Sequence, residues 1–219
     1  MIFNILSVFR ELIKPSLKYG VLSKAIKKNK IKVNIFSYSD YLNDGDRSDD
    51  KQFGGEPGMV IKYQNASRAI NAIKKSNPKT KVIFLTPKGK KLDNNLAKEM
   101  SKMGNISIIC GRYEGFDERI IDQYSDLEVS IGDYIVSGGE YPAVILMDSI
   151  SRMVKGVIGN EESVENDSLS NSLLKHPVYT RPAELKVGKV PKLITGGNHK
   201  KIKNFNRQES ILSTLKRRE

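Results

Sequence analysis

Four short stretches and two single residues of this 219-residue chain have types and spacing that could do chemistry. FGGEPGM (53–59) is glycine-dense and follows the polar run NDGDRSDDK. It reads either as a surface for a flat ligand such as a base or as a flexible excursion. GRYEGFDERI (111–120) offers a tight turn and then a helix start, with Asp117 and Glu118 well placed in the first helical turn. Glu114, ahead of the turn, is either a ligand contact or an energetically neutral surface acid, and Arg119 is expected to pair with a nearby acid. SIGDYIVSGGE (130–140) is a strand end broken by two glycine turns, after which apolar sequence resumes as YPAVILMDSISR. A chain that leaves the core, turns twice and re-enters can bring backbone close to a ligand, because glycine permits both unusual dihedrals and close approach. A well-made loop is the plainer alternative. The fourth stretch, TPKGKK (86–91), is another glycine-bearing strand end. Arg152 lies four residues after Asp148 on one predicted helix, which suits an ion pair worth a few tenths of a kcal/mol. Asp167 sits in a polar stretch, where a carboxylate is by default solvated.

Several chemistries lack their residues. There is no G-x-G-x-x-G after the first strand and no G-x-x-x-x-G-K-[ST], so neither a dinucleotide fingerprint nor a P-loop is supported. His176 and His199 lie in polar, basic segments with no nucleophile beside them, which removes triad hydrolysis. One cysteine, Cys110, and two histidines give neither an internal disulfide nor a tetrahedral zinc site, and no metal site is assigned.

The elements that must position these residues alternate in type. Strands are expected at 2–8, 31–36, 81–85, 105–110 and 127–131, and helices near 15–28, 64–76, 92–103, 116–124 and 141–153. Strands separated by helices predict an α/β fold with a mostly parallel sheet covered on both faces. Ligands in such sheets sit outside the carboxyl ends of strands, so TPKGKK, GRYEG and SIGDYIVSGGE should converge. The character changes at GNEESVENDSLSNS (159–172), which reads as a linker or mobile loop. A domain of residues 1–158 is therefore expected, then a linker at 159–172, then a basic helical region at 173–219 in which HKKIKNFNRQESILSTLKRR forms an amphipathic helix.

The hydrophobic fraction of 38% suffices for a core. No apolar run approaches the roughly 20 residues of a membrane span, and the amino terminus lacks a signal peptide's charge and cleavage pattern. A cytoplasmic protein with no membrane contact is expected. The net charge of +12 points to an anionic partner. Because 27 of the 37 basic residues are lysine, position is more telling than the total. From Glu184 to Glu219 there are ten Lys or Arg against three acids, which favours nucleic acid over an anionic membrane or simple solubility.

Taken together, DDKQFGGEPGM (49–59), CGRYEGFDERII (110–121), SIGDYIVSGGEYPAVILMDSISR (130–152), HPVYTRP (176–182) and GGNHKKI (196–202) resemble the bacterial tRNA (guanine-N(1)-)-methyltransferase family of knotted SPOUT methyltransferases, in the family's order and across most of the chain. The resemblance implies a deep trefoil knot at the carboxyl end of the sheet, an exception to the no-threading rule. It implies S-adenosylmethionine held in the knot by Pro87, Gly89, Gly111, Tyr113, Glu114, Gly115, Ile131, Gly132, Asp133, Tyr134, Ile135, Val136, Gly138 and Gly139. It further implies a homodimer whose sites span two subunits; a nearly all-round apolar helix 142–153 would suit its interface. No other protein partner is indicated. The reaction implied is methylation of guanine N(1) just 3′ of the anticodon of tRNA. Asp167 would be the general base, a role worth about 10²–10⁴-fold, and Arg152 would stabilise charge on the guanine O6. Pro57, Gly58, Arg181 and His199 would contact the RNA, with the basic end gripping the anticodon stem-loop. A magnesium ion is compatible with this chemistry.

The chain departs from the family pattern at Glu56, where glycine is common, at Arg10, where proline is usual, and in ending sooner than many relatives. Two other readings are a SPOUT enzyme that methylates the ribose 2′-oxygen and a non-catalytic RNA-binding module. The first leaves the linker aspartate without a task; the glycine turns together with Asp167 and Arg152 weigh against the second.

Overall fold

Short β-branched runs build a central sheet, and the intervening segments coil into helices that cover it. The computed structural model describes residues 1–159 and 167–218. Strands β1 (Ile2–Ser7), β2 (Lys32–Ser37), β5 (Lys81–Lys91), β6 (Asn105–Cys110) and β7 (Leu127–Ser130) lie in the order β2-β1-β6-β5-β7. Every neighbouring pair is parallel. A separate antiparallel pair joins β3 (Asp49–Lys51) to β4 (Met59–Ile61).

The two-residue period of the strands divides the core into two layers. Phe3, Ile5, Ile83, Leu85, Ile106 and Ile108 pack on one face with α1 (Gly20–Lys27), α3 (Asn94–Met100) and α5 (Glu140–Met153). Leu6, Val82, Phe84 and Ile109 pack on the other with α2 (Tyr63–Ser76) and α4 (Glu118–Tyr124). Asp93 and Asp117 accept the first free amides of α3 and α4, from Leu96 and Arg119, so those helices begin one residue after an acid.

Two elements differ from expectation. The helix expected at 15–28 is split: a 3₁₀ turn at Lys14–Leu17 precedes α1, and Gly20 at φ +70° and extended Tyr19 interrupt the spiral. TPKGKK does not simply end a strand. Leu85 and Lys90 both pair with Val129, so residues 86–89 bulge outward within β5. Gly89 permits the bulge, since a Cβ there would lie 2.4 Å from the Val129 amide nitrogen. In α5, Pro142, Ala143, Leu146, Met147 and Ile150 enter the core, while Ile145, on the exposed side, is apolar as well, in keeping with the expected apolar helix.

The chain forms two compact units, Met1–Gly159 and Asn160–Glu219. Of the expected linker 159–172, residues 160–166 lie outside the described residues. The second unit is not purely helical. It holds an antiparallel hairpin of β8 (Glu184–Leu185) and β9 (Gly188–Lys189), a single turn α6 (Lys192–Thr195) and the long α7 (His199–Arg217). Asn198 caps α7 by accepting from the Lys201 amide at 3.1 Å, and Thr214 Oγ1 accepts from the Leu174 amide at 2.9 Å. No residue of α7 is buried. None of the described helices is long and apolar enough to cross a membrane.

Candidate active site

The bulge within β5 and the loops after β6 and β7 surround a cavity of about 380 Å³, within the range of small-molecule sites. Twelve of the fourteen residues expected to hold the cofactor line it: Pro87, Gly111, Tyr113, Glu114, Gly115, Ile131, Gly132, Tyr134, Ile135, Val136, Gly138 and Gly139. Gly89 does not; its place is the β5 bulge. Asp133 does not either, and pairs instead with Lys91 at 2.6 Å on the surface. Lys88, Arg112, Phe116 and Pro142 also line it; they lie within the quoted motifs but are not among the expected cofactor contacts. A motif does not say which of its side chains face a cavity, and folding decides that.

Backbone geometry shapes these walls. Tyr113 and Gly115 both take positive φ, +61° and +108°, which turns the chain sharply between β6 and α4. Ser130 Oγ accepts from the Gly132 amide at 3.2 Å and donates to its carbonyl at 3.1 Å, while the Tyr134 amide also bonds to the Gly132 carbonyl at 3.0 Å. The next two amides, of Ile135 and Val136, donate to no acceptor among the described residues. Gly139 lies directly on β6. Its amide donates to the Gly111 carbonyl at 2.8 Å, and a Cβ there would be 2.7 Å from Cys110 Cα.

A buried polar cluster adjoins these loops. Glu140, at the start of α5 and 1% exposed, accepts from Ser7 Oγ at 2.8 Å and the Phe9 amide at 3.3 Å through Oε1. Its Oε2 accepts from Arg112 Nε at 3.1 Å, and the Arg112 guanidinium lies 4.6 Å from the Phe9 ring centre. Burial, and then the Glu140 charge, push the Cys110 thiol well above its ordinary range, so it stays protonated and is no nucleophile.

The glycine loop 53–58 meets the turn after β6. The Glu114 amide donates to the Met59 carbonyl at 2.9 Å, the Ile61 amide to Gly115 at 2.9 Å, and the Asp117 amide to Ile61 at 3.2 Å. Gly58 has φ +110°, and a Cβ there would lie 2.5 Å from Glu114 Cγ. Pro57 accepts from Gln52 Nε2 at 2.9 Å, and Glu56 points to solvent. The pairing expected of Arg119 is present, to Asp117 at 2.5 Å, and this contact holds the Asp117 carboxyl below its usual range.

Four candidates remain. Arg152, half-buried in the last turn of α5, does not line the cavity. Twelve residues of helix separate it from Glu140, about 18 Å along the axis at 1.5 Å per residue. Asp167, Arg181 and His199 belong to the second unit. Asp167 is half-buried, Arg181 is exposed beside a cis proline, and His199 is the exposed first residue of α7. Among the described residues no group of three or more His, Cys, Asp or Glu side chains could hold a metal ion.

The whole chain, residues 1–219, matches the family model described as tRNA (Guanine-1)-methyltransferase TrmD. It is similar to a tRNA (guanine-N(1)-)-methyltransferase of Caldicellulosiruptor saccharolyticus, 47% identical over 219 residues that cover 100% of this chain and 89% of that protein. A protein of the same description from Thermosipho africanus is 44% identical, covering 100% of this chain and 88% of the relative. One from Hahella chejuensis is 42% identical over 218 residues, covering 99% and 84%.

Proposed function

The chain belongs to the tRNA (guanine-1)-methyltransferase family, and from that premise we propose that it moves a methyl group from S-adenosylmethionine to N(1) of the guanosine immediately 3′ of the anticodon, position 37. The observation that carries this reading is the convergence of the β5 bulge and the loops after β6 and β7 on one cavity in a chain of this family.

The residues present fit the donor. Leu85, Ile131, Ile135 and Pro142 supply apolar walls for a flat base, and the open amides of Ile135 and Val136 match its acceptor nitrogens. Pro87, the 111–115 turn, the 131–136 run and the Gly138–Gly139 pair would hold it. When bound, it supplies an electrophilic methyl group on a sulfonium. The protein's own task is then to make guanine N(1) a nucleophile, which requires removal of its proton. Asp167 accepts that proton as general base, and Arg152 donates to O6, where negative charge gathers. Pro57 and Gly58, beside the 111–115 turn, contact the target base, and Arg181, His199 and the lysines of α7 hold tRNA phosphates.

About 15 Å of helix between Pro142, which lines the cavity, and Arg152 favours a homodimer in which one copy contributes Arg152 to a site whose other groups come from its partner. A trefoil knot at the carboxyl end of the sheet is part of this reading, and the strand order β2-β1-β6-β5-β7 is compatible with it. In this reading residues 1–158 bind the donor, 159–172 link, and 173–219 bind tRNA in the cytoplasm.

The test is incubation with labelled S-adenosylmethionine and two tRNA transcripts that carry guanosine or adenosine at the target position. Methyl transfer to the guanosine transcript alone is expected. Equal labelling of both transcripts would overturn the assignment.

A further inference from the structure

Glu140 is a buried carboxylate that the proposed methyl transfer does not use. It joins three segments that are remote in sequence: the end of β1 through Ser7 and Phe9, the turn after β6 through Arg112, and the start of α5. Arg112 and the Gly138–Gly139 pair line the cavity, whereas Ser7 and Phe9 do not. The fit is close, since a Cβ on Gly138 would stand 2.4 Å from Arg112 Nε and 2.6 Å from Glu140 Oε2. Arg112 and Gly138 also form a local β-bridge. A buried ion pair is seldom the most stabilising way to fill a core, because desolvation offsets much of its attraction. What it supplies is direction, as three donors on one carboxylate fix where each segment lies.

We propose that Glu140 is a positioning residue: through Arg112 it holds the 111–115 turn against Gly138 and so sets the shape of the donor cavity without touching the donor. This role rests on the proposed function. Glu140→Gln keeps the side-chain volume and the bonds from Ser7 and Phe9, but turns an amide toward Arg112 and strands its charge. The double variant Glu140→Gln/Arg112→Met removes both charges, which relieves the stability penalty of a single unpaired one.

Calorimetry with S-adenosylhomocysteine, alongside melting temperature, separates positioning from plain stability. In Glu140→Gln the affinity should fall about tenfold or more, the scale expected when a binding wall shifts by a fraction of an ångström to 1 Å. In the double variant the melting temperature should recover while the affinity stays low. Affinity that recovers together with melting temperature, or a Glu140→Gln protein that binds like wild type, overturns the positioning role. Wild-type protein that binds no S-adenosylhomocysteine overturns the functional assignment as well, so the two failures are distinct.

Discussion

Side chains with the same formal charge hold different places in this molecule. Arg152 does not line the cavity and Asp167 belongs to the second unit, whereas Arg112 lines the cavity and is paired with the buried Glu140. Asp167→Asn should therefore bind S-adenosylhomocysteine as wild type does and lose turnover by about 10²-fold or more; near-normal turnover in a tRNA methylation assay would remove its role. Cys110 and Tyr38 report on the buried end of the same region. Burial raises both above their ordinary values of 9.0 and 10.0, and the Glu140 charge adds to it. The folded state holds these protons more tightly than the unfolded chain, so their stabilisation is complete below pH 9 and is lost as pH rises further. Melting temperature should fall from about pH 9 upward, and Cys110→Ala should flatten the start of that decline. At this scale the sequence marked the glycine turns by motif, while Asp167 was named only through the family resemblance and its role is a proposal. The sequence did not single out Glu140 or Arg112, whose partners lie 133 and 28 residues away.

At the scale of elements, local rules account for most of the architecture. Strands with a two-residue apolar period and helices with an acid at the cap were legible, because each signal repeats within a few residues. The pair β3–β4 was not, since three-residue strands such as Asp49–Lys51 have too few side chains to show a period. The β5 bulge escaped for another reason: it exists only because Leu85 and Lys90 share one partner on β7. Gly89→Ala tests that crossing. Its Cβ would press on the backbone of Glu128 and Val129, so a loss of about 1–3 kcal/mol is expected from denaturant unfolding. Gly54→Ala has open space around it and should cost only the strain of a positive φ, about 1 kcal/mol. Phe84 meets Phe116 edge to face with ring centres 5.1 Å apart, joining β5 to the wall of the cavity. Phe84→Ala should cost about 3–5 kcal/mol.

For the whole molecule, the proposed function turns on charge and on copy number. In the proposed function the excess of basic residues after Glu184 makes phosphate contact the largest contribution to tRNA binding. Affinity for tRNA should fall at least about tenfold between 50 and 200 mM salt in a filter-binding series, while donor binding changes little, because the cavity walls are mostly apolar side chains and backbone. If each site takes Arg152 from one copy and Asp167 from the other, two inactive variants should complement each other. Mixing Arg152→Ala with Asp167→Asn chains should restore measurable methylation; a mixture as inactive as its parents would place both residues in one copy. The amino-acid sequence by itself determined the alternating strands and helices, the basic carboxyl-terminal region and the motifs of the family, since propensity, charge and motif are written in consecutive residues. Only the tertiary structure decided which loops share a wall, that Gly89 serves a bulge and not the cavity, and that Glu140 ties β1 to the turn after β6, because burial and long-range hydrogen bonds come into being only when distant segments pack.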